Sequence, residues 1–198
     1  MMAYATTAQV KTYLGISTTG DDTLIGDLID RAEAWIENHT NRIFESTGDT
    51  TRKFTVGVDT DGDTLFFDED TYSITTVTNN ADAATGETVA STKYTTMPRN
   101  RTPYYAIKLL SSSDVSWDYT DDAEEGITVA GRWAFSATPP NDVLDATIRL
   151  TGYFYRQKDA DVFDVTAIPE AGVIQVPQGI PRDVMLKLEP YRKRAILP

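Results

Sequence analysis

Cysteine is absent from the 198-residue chain. Its absence excludes a disulfide framework, thiolate metal sites and a cysteine nucleophile. It fits a chain folded in a reducing cytoplasm. Histidine occurs once, as His39. A catalytic dyad would set a histidine beside a serine and a carboxylate, and nothing in the sequence selects such partners. No stretch approaches the roughly 20 consecutive apolar residues of a membrane span. The opening MMAYATTAQVK has no basic start followed by an apolar run, so it does not read as a signal peptide. G-x-S-x-G, Walker A, Rossmann glycine and H-E-x-x-H patterns are all missing. Basic charge is scarce, with 18 Lys and Arg against 30 Asp and Glu and a net charge of -12. Such a chain repels the phosphate backbone and gains no affinity from counterion release.

Apolar residues make up 40% of the chain and aromatics 10%, enough to bury a core. The basic charge is uneven. Arg182, Lys187, Arg192, Lys193 and Arg194 stand against Asp183 and Glu189, so residues 182–198 are net +3 and the rest -15. This basic end suits either a tail that docks on an acidic surface or a solvated helix end favourable to the dipole.

Hydrophobic period divides the chain. Thr6 and Gln9 have capping-box spacing for a short helix to Leu14, ended by Gly15. Asp21 and Asp22 offer a cap and favourable charge to a second helix. Leu24, Leu28, Ala32 and Trp35, with Ile25, Ile29 and Ile36, form its apolar stripe, and Asp27, Asp30, Arg31, Glu33 and Glu37 fall mainly opposite. From about residue 51 the period becomes two. Phe54, Val56 and Val58 share a face, Asp59–Asp63 supplies turn chemistry, and Leu65 and Phe67 resume, which predicts a hairpin. Tyr72–Thr78 reads as another strand, Asn79–Glu87 as a polar turn, and Ile107 and Leu109 as a short strand. Ile127, Val129, Gly131, Trp133 and Phe135 alternate most cleanly. Pro139-Pro140 stops the sheet, and a third helix is expected from about Asn141 to Gln157, with Val143, Ala146, Leu150 and Phe154 on one face and Gly152 marking a close helix contact. Residues 159–180 look irregular, with a candidate strand at Val173–Val176. Pro181 suits the first position of a last short helix faced by Val184, Leu188 and Tyr191, which Pro190 should break or kink. The fold class is therefore α+β. A small helical core, residues 1–49 and 138–198, carries a β-rich insertion, residues 50–137.

Candidate chemistry is thin. Asp59, Asp61 and Asp63 around Gly62 are the best metal candidates, since calcium takes closely spaced carboxylates on a tight loop. Glu69 lacks the spacing of the closing bidentate ligand, and a β-turn explains Asp and Gly equally well. Asp121, Asp122, Glu124 and Glu125 read as a solvated loop, not as a paired catalytic site. Asn38-His39-Thr40 and Asn100-Arg101-Thr102 match the glycosylation pattern, discounted without a secretion signal. The aromatics lie among acids and threonines, which argues against single-strand nucleic-acid binding. No cofactor is expected and the chain does not read as an enzyme.

Three segments in order carry a resemblance. The opening TTAQVKTYLGI with DDTLIGDLIDRAEAWIENHTNRIF, the run ITVAGRWAF followed by PPNDVLDATIRLTGYFYRQ, and the ending GIPRDVMLKLEPYRK resemble the head–tail connector (adaptor) proteins of long-tailed bacteriophages. They span about half the chain; the long β-rich middle departs from the family. The resemblance implies a structural virion protein, assembled in the bacterial cytoplasm. It implies a ring of copies, usually dodecameric, beneath the portal protein and above a stopper or tail-tube component. DNA passes through without sequence-specific contact. It also implies that the C-terminal segment meets the portal, at Arg182, Leu186, Leu188, Tyr191, Arg192, Lys193, Arg194 and Ile196. Rival readings are a stopper or tail-completion protein, a β-rich and calcium-dependent glycan-binding module, and a hydrolase with an acidic pair.

Overall fold

The computed structural model describes residues 3–84, 86–158 and 179–193. Among the described residues, four helices and two antiparallel four-stranded sheets make an α+β protein. Backbone contacts divide it into two compact units: residues 42–138 form one, and the helical segments on either side form the other.

In the helical unit, α1 (Thr7–Leu14) begins with the capping box. The Thr6 hydroxyl accepts the Gln9 N–H at 3.2 Å, and the Gln9 side chain accepts the Thr6 N–H at 2.8 Å. Gly15 closes it in the left-handed region, with φ 74°. Helix α2 (Asp22–Thr40) buries Ile25, Leu28, Ile29, Ala32 and Ile36, while Leu24 and Trp35 are half-buried. Two expectations for α2 are corrected. Asp21 occupies the N-cap position without a side-chain cap bond; its carboxylate instead accepts from the Tyr155 hydroxyl and from Lys158. Glu33 is buried, not solvated, because its carboxylate accepts the Tyr4 backbone N–H. Asn41 ends the helix at φ 53°, a left-handed geometry that asparagine tolerates well.

Helix α3 (Asn141–Gln157) buries Val143, Ala146, Thr147 and Leu150, while Phe154 is only half-buried. Gly152 does mark a close approach: a Cβ there would lie 2.9 Å from Cε1 of Tyr13 in α1. Helix α4 (Arg182–Leu188) buries Val184 and Leu188. Pro181 is its N-cap, one residue earlier than expected. Pro190 converts the helix end into a 3-10 turn, Glu189–Tyr191. The strand expected at Val173–Val176 lies outside the described residues.

In the β-rich unit, one sheet has the order β1-β8-β4-β5 and the other β2-β3-β7-β6. These are β1 (Thr50–Phe54), β2 (Thr60–Asp61), β3 (Thr64–Thr71), β4 (Ser73–Asn79), β5 (Glu87–Thr88), β6 (Tyr94–Met97), β7 (Tyr104–Leu109) and β8 (Ile127–Arg132). Both sheets feed one apolar core: Phe54, Val77, Ile127 and Val129 from the first, Leu65, Phe67, Ile107 and Leu109 from the second. Trp133 packs between Phe54 and Phe67, with ring centroids 5.8 and 5.2 Å away. Its indole N–H reaches the Thr50 carbonyl at 2.9 Å, so the polar edge is satisfied.

Strand ends differ from the sequence pattern. β1 stops at Phe54, and Thr55–Asp59 forms a turn, leaving Val58 79% exposed. The hairpin is therefore β2–β3, pairing Thr60 with Leu65 across a two-residue turn. Gly62, at φ 55°, takes the first central position, the glycine site of a type II′ turn. β8 ends at Arg132, although Trp133 stays in the core. Strands β5 and β6 carry no strong period and were not anticipated.

Candidate assembly surfaces

The C-terminal contact residues that the resemblance implies and the structure describes, from Arg182 to Lys193, do not form a free tail. Residues 182–193 pack on their own helical unit. Leu188 is fully buried there, which removes it from any outer contact surface. Lys187 pairs with Asp145, and Asp183 with Arg149. The Tyr191 hydroxyl donates to Asp142 at 3.3 Å, and the Lys193 N–H reaches the Thr40 carbonyl at 2.8 Å. Burial, then the Asp142 charge, raises the Tyr191 pKa. Asp142, Asp145 and Arg149 were not singled out in the sequence, though their i, i+3, i+7 spacing puts them on one face of α3.

Leu186 is 64% exposed, and Arg182, Met185, Glu189 and Arg192 of the same segment are exposed too. Among the described residues the ion pair of Arg192 is an i,i+3 contact with Glu189 at 3.6 Å. Arg194 and Ile196 lie outside the described residues. On the same unit, Ala8, Gln9, Thr12 and Tyr13 of α1 and Asp145 and Ile148 of α3 line a shallow groove.

The other candidates serve the fold. The Asp59 carboxylate accepts the Thr55 N–H at 2.7 Å, holding the turn after β1. Asp61 precedes the β2–β3 turn and Asp63 is its second central residue. Among the described residues no group of three His, Asp or Glu side chains could hold a metal ion. His39 stacks on Trp35, one helical turn away, with ring centroids 4.8 Å apart. The acidic run is an organised loop. The Asp82 carboxylate accepts the backbone N–H groups of Thr120, Asp121 and Asp122. Burial opposes ionisation of Asp82, yet these donors outweigh it and hold its pKa below the ordinary carboxylate range. Asp121, Asp122 and Glu124 remain exposed around this anchor. No helix among the described residues is long and apolar enough to cross a membrane.

Comparison with known proteins gives these surfaces a setting. The family model described as head completion protein matches residues 3–194. The chain belongs to the head completion protein family. It is a structural protein of the head–tail junction of a phage-type virion. No curated protein matches it. Its fold is similar to a chain in the neck of an empty GTA particle, solved with C6 symmetry (17% identity, TM-score 0.60, covering 96% of this chain and 90% of that one). A neck chain of the native GTA particle, solved with C12 symmetry, is similar at 18% identity and TM-score 0.58, over 96% and 89% of the two chains. A chain of the native gene transfer agent virion is similar at 18% identity and TM-score 0.56, over 96% and 90%.

Proposed function

We propose that the chain is the head–tail adaptor of its particle: a non-enzymatic ring of copies, docked on the portal protein, through which DNA passes to a stopper or tail-tube component. The observation that carries this reading is the C-terminal segment. It is held to α3 by buried Val184 and Leu188 and by two ion pairs, and it turns Arg182, Leu186 and Arg192 outward. An apolar centre rimmed by arginine is the composition of a docking patch. Arg194 and Ile196 extend the proposed contact set beyond it. The ring is supported by the C6 and C12 necks in which similar folds occur. The acidic body supports DNA passage, because a wall with few cations offers phosphates little to hold.

Deleting residues 182–198 would be a poor test, since it strips two core side chains. The triple variant R182E/L186D/R192E alters the outward face alone. It should keep the melting temperature, because exposed substitutions usually change stability by within about 0.5 kcal/mol. It should fail to cosediment with portal rings that capture the unaltered chain. Equal capture of both proteins would refute this docking face.

A further inference from the structure

The charge of the β-rich unit is sorted along its strands. The unit carries eight Lys and Arg against sixteen Asp and Glu. Five of the eight cations are spent within it: Arg42 on Asp70, Arg52 on Asp68 and Glu69, Lys53 on Glu125, Lys93 on Asp114, and Arg132 on Asp49. Lys108 lies along β7, between Thr64 and Thr95 of the neighbouring strands. The remaining two, Arg99 and Arg101, sit at the exposed tip of the β6–β7 hairpin and form no ion pair among the described residues.

The tip and the acidic loop occupy opposite ends of the unit. β7 begins at Tyr104, opposite Thr71, where β3 passes into the start of β4. The loop at 118–125 packs at the other end of β4: the Asp118 N–H donates to the Asn79 side chain at 3.0 Å, and the Val56 N–H to the Ala123 carbonyl at 2.9 Å. The seven residues of β4 separate the two ends by about 20 Å at strand rise. Lys53 and Lys93 pair with Glu125 and Asp114, while Asp118, Asp121, Asp122 and Glu124 form no ion pair among the described residues. Asp82 fixes this loop from beneath.

We infer that the β6–β7 tip of one copy, through Arg99 and Arg101, docks on the 118–125 loop of the next copy around the ring. This rests on the ring reading above. A ring needs two different and complementary faces on each subunit, and a unit with an acidic loop at one end and a two-arginine tip at the other supplies such a pair. A second copy is favoured over DNA because the complementary surface lies on this chain.

The lack of cysteine makes the contact directly testable. Particles assembled with the N100C/E124C variant, once oxidised, should yield a ladder of disulfide-linked copies on a non-reducing gel. Neither single variant should. The charge-reversed R99E/R101E chain, read by melting temperature to confirm that it folds, should enter particles about tenfold less or worse. Adding D121K/D122K reverses both partners and should restore incorporation. Normal incorporation of R99E/R101E, or rings that contain N100C/E124C and give no ladder, would overturn this contact while leaving the ring intact. So would R99E/R101E rings that assemble normally but lose retention of packaged DNA, which would assign the tip to phosphate. Particles that never incorporate even the unaltered chain would instead overturn the ring reading itself.

Discussion

Leu186 and Leu188 are two residues apart on one short helix and have opposite fates. Leu188 is fully buried and Leu186 is 64% exposed. Truncating Leu188 removes packed volume, so L188A should destabilise by about 2–5 kcal/mol in urea or thermal unfolding. L186D should leave unfolding almost unchanged and act on portal binding. The periodicity made Leu188 legible as a core residue. The family resemblance placed it in the contact set, because a resemblance transfers a segment without saying which side of it faces in. Polar side chains were less legible. Glu33 looks solvated by periodicity, and the Tyr4 N–H that its buried carboxylate accepts comes from 29 residues earlier in the chain, where no local pattern points to it. Asp82 stands in an unremarkable polar run, and nothing there signals that three amides 38 to 40 residues later will converge on it.

At the scale of elements, the helices were readable because their signals are local. The capping box, the left-handed Gly15 and the face of α3 all follow from residues within a turn or two. The β-rich unit was readable in type but not in pairing. Phe54, Val56 and Val58 keep strand parity, yet the Asp59 side chain captures the Thr55 N–H and folds the chain over before the pattern ends. Gly131 shows the same dependence on partners. A Cβ there would lie 2.3 Å from the Ser73 carbonyl oxygen, on the neighbouring strand where the β4–β8 register shifts. G131A should therefore destabilise by roughly 1–3 kcal/mol or more, as overpacking against backbone does. Asp21 links α2 to the end of α3. The Tyr155 hydroxyl, then Lys158, lowers its pKa from 3.8. A lowered folded pKa contributes stability that is complete above the unfolded value and lost as pH falls through the folded one. The melting temperature of D21N should thus lie below that of the unaltered chain above pH 3.8, with the gap closing in stronger acid.

At the scale of the whole molecule, the sequence carries the function through order and charge, not through chemistry. Three unremarkable segments in a fixed order pointed to the head–tail junction, and the family match over residues 3–194 places the chain in a head completion family. The net charge of -12 says nothing of where the charge sits. Folding sorts it: ion pairs absorb most cations of the β-rich unit, and pairing with α3 absorbs Lys187. The basic end, which the sequence left as a docking tail or a solvated helix end, is therefore partly spent on its own unit, and its exposed cations among the described residues are Arg182 and Arg192.

The most direct test of the account is the mass of the complex formed when the purified chain is mixed with portal rings from the same particle. A saturable complex whose added mass is a whole-number multiple of the 21.9 kDa chain, with the symmetry of a closed ring, is the predicted result. No association at low salt, or binding of scattered copies without a fixed number, would contradict it.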